Sequence, residues 1–205
     1  AFVVQTKPAE DFPEAGFIVV EDTLKALQQL AAHHRNSLHL PVIAITGSNG
    51  KTIVKEWLHQ LLSADRRIVR SPRSYNSQIG VALSVWQLKT DTELGIFEAG
   101  ISLPGEMTSL ETMIRPDTGI FTTIGDAHQE NFSSLQEKLK EKAVLFRECS
   151  TVIYCADQLL THQLMQEADL KARKICWGRH PEAVVRIIDS AAGFQTLQYS
   201  GQSYR

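Results

Sequence analysis

A Gly-rich turn set between an apolar strand and an amphipathic helix constrains this chain more than any other feature. Pro41-Val42-Ile43-Ala44-Ile45-Thr46 is an apolar run of the length a buried strand takes. Thr46-Gly47-Ser48-Asn49-Gly50-Lys51-Thr52 follows it directly. The spacing then predicts a helix from about Lys51 to Ser63 with Val54, Trp57, Leu58 and Leu61 as its apolar stripe. Glycines let the backbone turn its N–H groups toward an anion, and the helix N-terminus adds partial positive charge. Gly47, Ser48, Asn49 and Gly50 would cradle phosphates, Lys51 would reach the terminal ones, and the Thr52 hydroxyl would ligate Mg2+. The usual pattern is G-x-x-x-x-G-K-S/T, and Ile45 stands where its first glycine belongs, so this is a shortened G-x-x-G-K-T. A chance Gly-Lys-Thr turn is the competing reading. The strand before, the helix after and the final triplet favour phosphate binding.

Strands and helices alternate along the rest of the chain. Phe17 to Val20 reads as a strand, and Asp22 as the N-cap of a helix to about Arg35 with Leu24, Leu27, Ala31 and His34 on one face. Further strands are expected at Arg67 to Arg70, Leu94 to Glu98, Thr118 to Thr123, Val152 to Cys155 and Lys174 to Trp177. Helices are expected after the polar loop Ser71 to Gln78, at Gly105 to Ile114, at Ser134 to Glu148 and up to about Ala168. Ala183 to Asp189 and Phe194 to Tyr199 read as a small antiparallel pair around Gly193. The expected fold is α/β: a mostly parallel sheet with helices on both faces. Ligands of such sheets bind beyond the carboxyl ends of the strands.

Composition narrows the partners. Lys and Arg number 21 against 23 Asp and Glu, a formal net charge of -2, which argues against a broad grip on nucleic acid. No apolar run approaches the roughly 18 residues of a membrane span, and no basic-then-apolar leader opens the chain. The three cysteines, Cys149, Cys155 and Cys176, form no C-x-x-C pair. They read as buried free thiols in a reducing, cytoplasmic setting. The chain starts strand-like at Ala1 and stops just after an alternating stretch, at Arg205, so we expect a piece of a longer protein.

Three more residues carry candidate chemistry. Glu98 closes a strand and His128 lies in the loop after another, both at the sheet edge expected to hold the phosphate loop. An acid and an imidazole there suggest a Mg2+ site with unusual nitrogen ligation. Taken alone, Glu98 reads equally as a capping or solvated acid, and His128 as a loop histidine packing on Phe132. At 100° per residue Lys142 shares a stripe with Leu135, Leu139 and Phe146, while Lys140 points elsewhere. A buried ammonium is costly unless paired or altered. A neutral lysine can add carbon dioxide and become a carbamate, offering the oxygen ligands that Mg2+ prefers. From spacing alone, a snorkelling lysine is the favoured reading of Lys142.

Ile45 to Thr52 resembles the ATP loop of the Mur ligases, which build the peptide stem of bacterial cell-wall precursors. Phe97-Glu98-Ala99-Gly100 resembles that family's metal-binding strand end, and Ile124 to His128 with Glu130-Asn131-Phe132 its histidine loop. Glu141-Lys142 before Ala143-Val144-Leu145-Phe146 is similar to its carbamylated-lysine helix. Within the family the likeness is closest to the MurF type, some of which are fused to an alanine racemase. Asn76-Ser77-Gln78-Ile79-Gly80-Val81 looks like its substrate loop, with Ala82 where a proline is usual and Asp126 where another residue is commoner.

The resemblance implies an ATP-dependent amide-bond ligase that joins D-alanyl-D-alanine to UDP-N-acetylmuramoyl-tripeptide through an acyl phosphate. It implies two Mg2+ ions: one on Thr52 and Glu98, a second held or positioned by His128 and carbamylated Lys142. Asn76 would contact the muramoyl-peptide substrate. Residues 1–39 would be the tail of an N-terminal UDP-substrate domain with its linker, and 40–205 a truncated ATP-binding domain, inactive alone. Folylpolyglutamate synthetase is the nearest enzyme alternative, with another Mur-type ligase and a non-catalytic nucleotide-binding module beside it. A GTPase switch is disfavoured, since the chain carries no Asn-Lys-x-Asp guanine motif.

Overall fold

In the computed structural model of the chain, residues 1–10, 12–125, 129–191 and 194–204 are described. Asp126, His128 and Gly193, all singled out above, lie outside the described residues. The elements run β1 (Phe2–Val4), β2 (Phe17–Val19), α1 (Thr23–Asn36), β3 (Val42–Thr46), α2 (Lys51–Leu62), β4 (Ile68–Arg70), α3 (Gln78–Val85), β5 (Leu94–Glu98) and α4 (Glu106–Ile114). They continue with β6 (Thr118–Phe121), α5 (Leu135–Ala143), β7 (Thr151–Cys155), α6 (Leu159–Glu167), β8 (Arg173–Gly178), β9 (Val185–Ala191), β10 (Phe194–Tyr199) and β11 (Gln202–Tyr204).

Strands β1 and β2 form their own small parallel pair. The main sheet has nine strands in the order β11-β10-β9-β8-β7-β6-β3-β5-β4. From β4 to β9 every neighbouring pair is parallel. The expected α/β architecture is therefore present. The antiparallel part differs from expectation in two ways: β9 joins the parallel sheet through β8, and a third strand, β11, follows β10. The register of β9 and β10 shifts between Thr196 and Leu197, a bulge that the alternating sequence does not announce.

Apolar side chains divide between the two faces of the sheet. Ile45, Leu94 and Ile96 are buried against Val54, Leu58 and Leu62 of α2. The larger core gathers Val81 and Val85, Leu110 and Met113, and Leu139 and Phe146 from the elements on the opposite face, around Ala44, Phe97 and Phe121. The predicted helix from Ser134 to Glu148 is α5 followed by a 3-10 turn over Val144–Phe146.

Two helices depart in part from their expected faces: Leu27 and Ala31 of α1 and Val54 and Leu58 of α2 pack inward as expected, and others do not. On α2, Trp57 and Leu61 are exposed at 64% and 73%, and Lys55 is fully buried. With Lys55 turned inward, Trp57 lies about 200° further round the helix and must face out. On α1, Leu24 is on the exposed side and Arg35 is buried beside Ala31. Its guanidinium donates to the carbonyls of Ile114 and Arg115 at the end of α4, at 2.9 and 3.1 Å, and to Leu38 at 2.9 Å. Those bonds satisfy helix-end carbonyls that would otherwise lack partners. The three cysteines are buried and free, as expected. Among the described residues no helix is long and apolar enough to cross a membrane.

Candidate functional site

All the parallel strands end at one edge of the sheet, and the site is built there. Strand β3 delivers Thr46 to the turn that precedes α2. Gly47 has φ +141°, and a Cβ there would lie 2.1 Å from Thr122 Oγ1, so glycine is required both by conformation and by space. Gly50, at φ +84°, sets the left-handed step into α2. Thr122 and Thr123 were expected to finish a strand, but β6 stops at Phe121 and both brace the turn. Thr122 Oγ1 donates to Asn49 O at 2.6 Å, and Ser48 N donates to Thr123 O at 2.6 Å. Ser48 Oγ donates to Gly125 O and accepts from Gly125 N.

Lys51 folds back over this turn. Its ammonium donates to Gly47 O at 2.9 Å and Ser48 O at 3.3 Å. Lys142 reaches the same Gly47 carbonyl at 3.4 Å from the far side. It is only 3% exposed, whereas Lys140 is exposed, so the snorkelling reading of Lys142 is not what the structure shows. Lys138, one helical turn earlier, is also buried, and donates to Gly125 O. Burial, with the charges of Lys51 and Lys138 beside it, pushes Lys142 down to about 7. Burial also lowers Lys51, against the opposing pull of Glu98. Lys138 escaped sequence reading, although its place four residues before Lys142 on the same face was a usable signal.

Glu98 is fully buried, which excludes the solvated-acid reading. Its Oε2 accepts from Thr52 Oγ1 at 3.0 Å, and its Oε1 meets the Lys55 ammonium at 2.9 Å. That second contact is an ion pair; no hydrogen bond is directed at Oε1 from the described residues. Both partners are 0% exposed. Lys55 also donates to Ser71 O at 2.8 Å and to Arg73 O. The sequence reading missed Lys55 because it placed the apolar stripe of α2 elsewhere.

The loop that Lys55 grips leads to Asn76. Gly100 N donates to Asn76 O at 2.8 Å, and a Cβ on Gly100 would come within 2.9 Å of Asn76 Oδ1. A cavity of about 220 Å3 lies between these parts, lined by Gly47, Ser48, Lys51, Asn76, Gly100 and Lys142 among others. The structure thus brings Lys51, Lys142 and Asn76 to one cavity, with Thr52 and Glu98 in contact beside the loop. Thr52 and Glu98 offer the hard oxygen donors that suit Mg2+. Lys142 as an ammonium would repel a cation, and fits a metal only as a carbamate.

Residues 45–204 match the family model described as the Mur ligase middle domain. A UDP-N-acetylmuramoyl-tripeptide--D-alanyl-D-alanine ligase of Bacillus subtilis is 35% identical over 146 residues, covering 70% of this chain and 32% of the relative. MurF from Acinetobacter baumannii shares the fold with a TM-score of 0.85 at 23% identity, over 98% of this chain and 45% of that one. MurF ligase from Thermotoga maritima in complex with ADP gives a TM-score of 0.83 at 22% identity, over 98% of this chain and 47% of that one. The chain spans about a third of the length of the curated relative and under half of the solved structures.

Two stability measurements test this account of the buried charges. Lys55→Met should destabilise the chain by about 3–5 kcal/mol, because it strands the Glu98 carboxylate. Lys55→Met with Glu98→Leu should recover much of that loss in urea unfolding; an equal loss in both would show that the pair is not what matters. Lys142 titrates near 7 when folded and near 10.5 when unfolded. Between those values the unfolded chain holds more protons, so this residue makes stability rise with pH across that window and leaves it lowest below it. Lys142→Met should be more stable near pH 7 and should flatten that rise in a series of unfolding curves.

Proposed function

The chain belongs to the Mur ligase family, and from that premise we propose that it is the ATP-using core of a ligase of the MurF type. The proposed reaction joins D-alanyl-D-alanine to UDP-N-acetylmuramoyl-tripeptide in peptidoglycan precursor synthesis. One observation carries this reading: two lysines aimed at the same loop carbonyl line a cavity shared with the Asn76 loop. Such a concentration of positive charge, partly shielded from water, suits a place where two anions must be brought together. The naming of the Bacillus subtilis relative supports the substrate class. Residues 1–39 are proposed as the tail of the preceding domain and 40–205 as the ATP-binding domain. The setting is proposed to be cytoplasmic, consistent with three buried free thiols.

In the first step an oxygen of the tripeptide's terminal carboxylate attacks the γ-phosphorus of ATP. An O–P bond forms, the bond to the β-phosphate oxygen breaks, and ADP leaves. The products are an acyl phosphate and ADP. In the second step the dipeptide amine attacks the acyl carbon, the C–O bond to the phosphoryl group breaks, and inorganic phosphate departs as the amine loses its proton. Lys51 would neutralise the β- and γ-phosphates, and the turn from Gly47 to Gly50 would hold them through backbone N–H groups. Asn76, which lines the same cavity, would orient the muramoyl-peptide near that phosphate.

Thr52 and Glu98 would hold one Mg2+, which would supply charge neutralisation across the phosphates. Lys55 pairs with one carboxylate oxygen of Glu98 and leaves the other facing Thr52. Lys142, whose amine is substantially neutral near pH 7, has the nucleophilicity to add carbon dioxide. Its carbamate, with His128, would complete a second Mg2+ site.

Two variants of the full-length protein test it. Lys51→Ala should lower ligase turnover by about a hundredfold or more without loss of fold, the effect of removing a charge-stabilising donor. Unchanged turnover in a well-folded variant would overturn the phosphate-loop assignment. Lys142→Ala should remove most activity, with partial recovery on adding small carboxylates that occupy the carbamate's place, and Lys140→Ala should do little. Equal loss in both lysine variants would point to the helix and not to a carbamate.

A further inference from the structure

We propose that His162, His180 and Glu182 form a binding site for a zinc-class divalent metal ion, separate from the phosphate loop. The proposal is independent of the ligase reading. His162 stands on α6, and the other two lie in the connection that follows β8. One ligating atom from each lies within 4.8 Å of the other two. His162 Nε2 is 2.9 Å from Glu182 Oε2, and the His162 and His180 rings are 4.7 Å apart.

Two features give this cluster the organisation of a ligand site. The first is behind His162. Its ring is 5% exposed, and its other nitrogen, Nδ1, is 3.3 Å from the hydroxyl of fully buried Tyr154. A partner on the second ring nitrogen fixes the orientation of a metal-binding imidazole and its tautomer. The second feature is the anchoring of His180. The backbone N–H groups of Arg179 and His180 both donate to Asp157 Oδ1 at 2.7 Å. Gly178, at φ +140°, lets the Asp157 carboxylate pack where a Cβ would sit. One ligand is therefore held by the core and another by a pinned turn.

A tetrahedral zinc ion, with ligand bonds of about 2.0–2.2 Å, spaces its donors about 3.4 Å apart. The Glu182 side chain is 63% exposed and free to open the 2.9 Å contact to that spacing. His180 would give up the 3.3 Å contact that its Nδ1 accepts from Glu182 N. Two imidazoles and one carboxylate are a donor set for zinc in preference to Mg2+, and three protein ligands leave a fourth position for water. The ion takes the place of the proton between His162 and Glu182, and clasps α6 to the turn after β8.

The test is equilibrium dialysis of the chelator-stripped chain against Zn2+ in excess Mg2+, with thermal unfolding alongside. One equivalent should bind and raise the melting temperature. His180→Ala and Glu182→Gln, both outside the core, should each weaken binding by about tenfold or more. Cys176→Ser should leave it unchanged, although its thiol lies 3.2 Å from Glu182 O. Absence of binding would overturn the proposal, and so would binding that survives both His180→Ala and Glu182→Gln or disappears in Cys176→Ser.

Discussion

The site depends on one buried ion pair, Lys55 with Glu98. Taking two charges out of water costs several kcal/mol for each, and only good geometry with further hydrogen bonds offsets it. Here the ammonium is surrounded by the Glu98 carboxylate and the carbonyls of Ser71 and Arg73. Three segments are tied at that point: α2, the end of β5 and the loop leading to Asn76. The same carboxylate holds Thr52 on its other oxygen. The proposed phosphate loop, metal ligands and substrate loop therefore share one electrostatic anchor.

A second group of charges has the opposite character. Lys51, Lys138 and Lys142 converge on the carbonyls of Gly47 and Gly125. Lys142 is lowered first by burial and then by the two other lysines. Whenever Lys142 is protonated, the fold holds these like charges close together, in mutual repulsion. Bound phosphate, or conversion of Lys142 to an anion, would relieve it. In physical terms the site is built for a more negative state than the protein has by itself.

Much of this was legible in the sequence, because the signals are local. The run from Gly47 to Thr52 needs only its own residues and its neighbours to be read. Strand-helix alternation predicts the parallel sheet, and helical spacing sets Lys142 on the apolar stripe of its helix, although spacing alone favoured an ammonium that snorkels to water, and the structure buries it. Lys55, Lys138 and Arg35 were not read. Each is a long charged side chain whose burial is compensated by partners far along the chain: Glu98 for Lys55, Gly125 for Lys138, and Ile114 and Arg115 for Arg35. Hydrophobic periodicity assigns such residues to the surface, and so it also misplaced the stripe of α2. Strand β11 has no burial pattern to betray it, being exposed throughout.

The central claim is that the phosphate held by this loop passes through a bond to the substrate's own carboxylate. Isotope transfer tests it most directly. The full-length protein would be given ATP, D-alanyl-D-alanine and UDP-N-acetylmuramoyl-tripeptide labelled with oxygen-18 in the terminal carboxylate. The account predicts that the inorganic phosphate released with each amide bond carries one labelled oxygen from that carboxylate. Unlabelled phosphate, accompanied by amide formation, would contradict it.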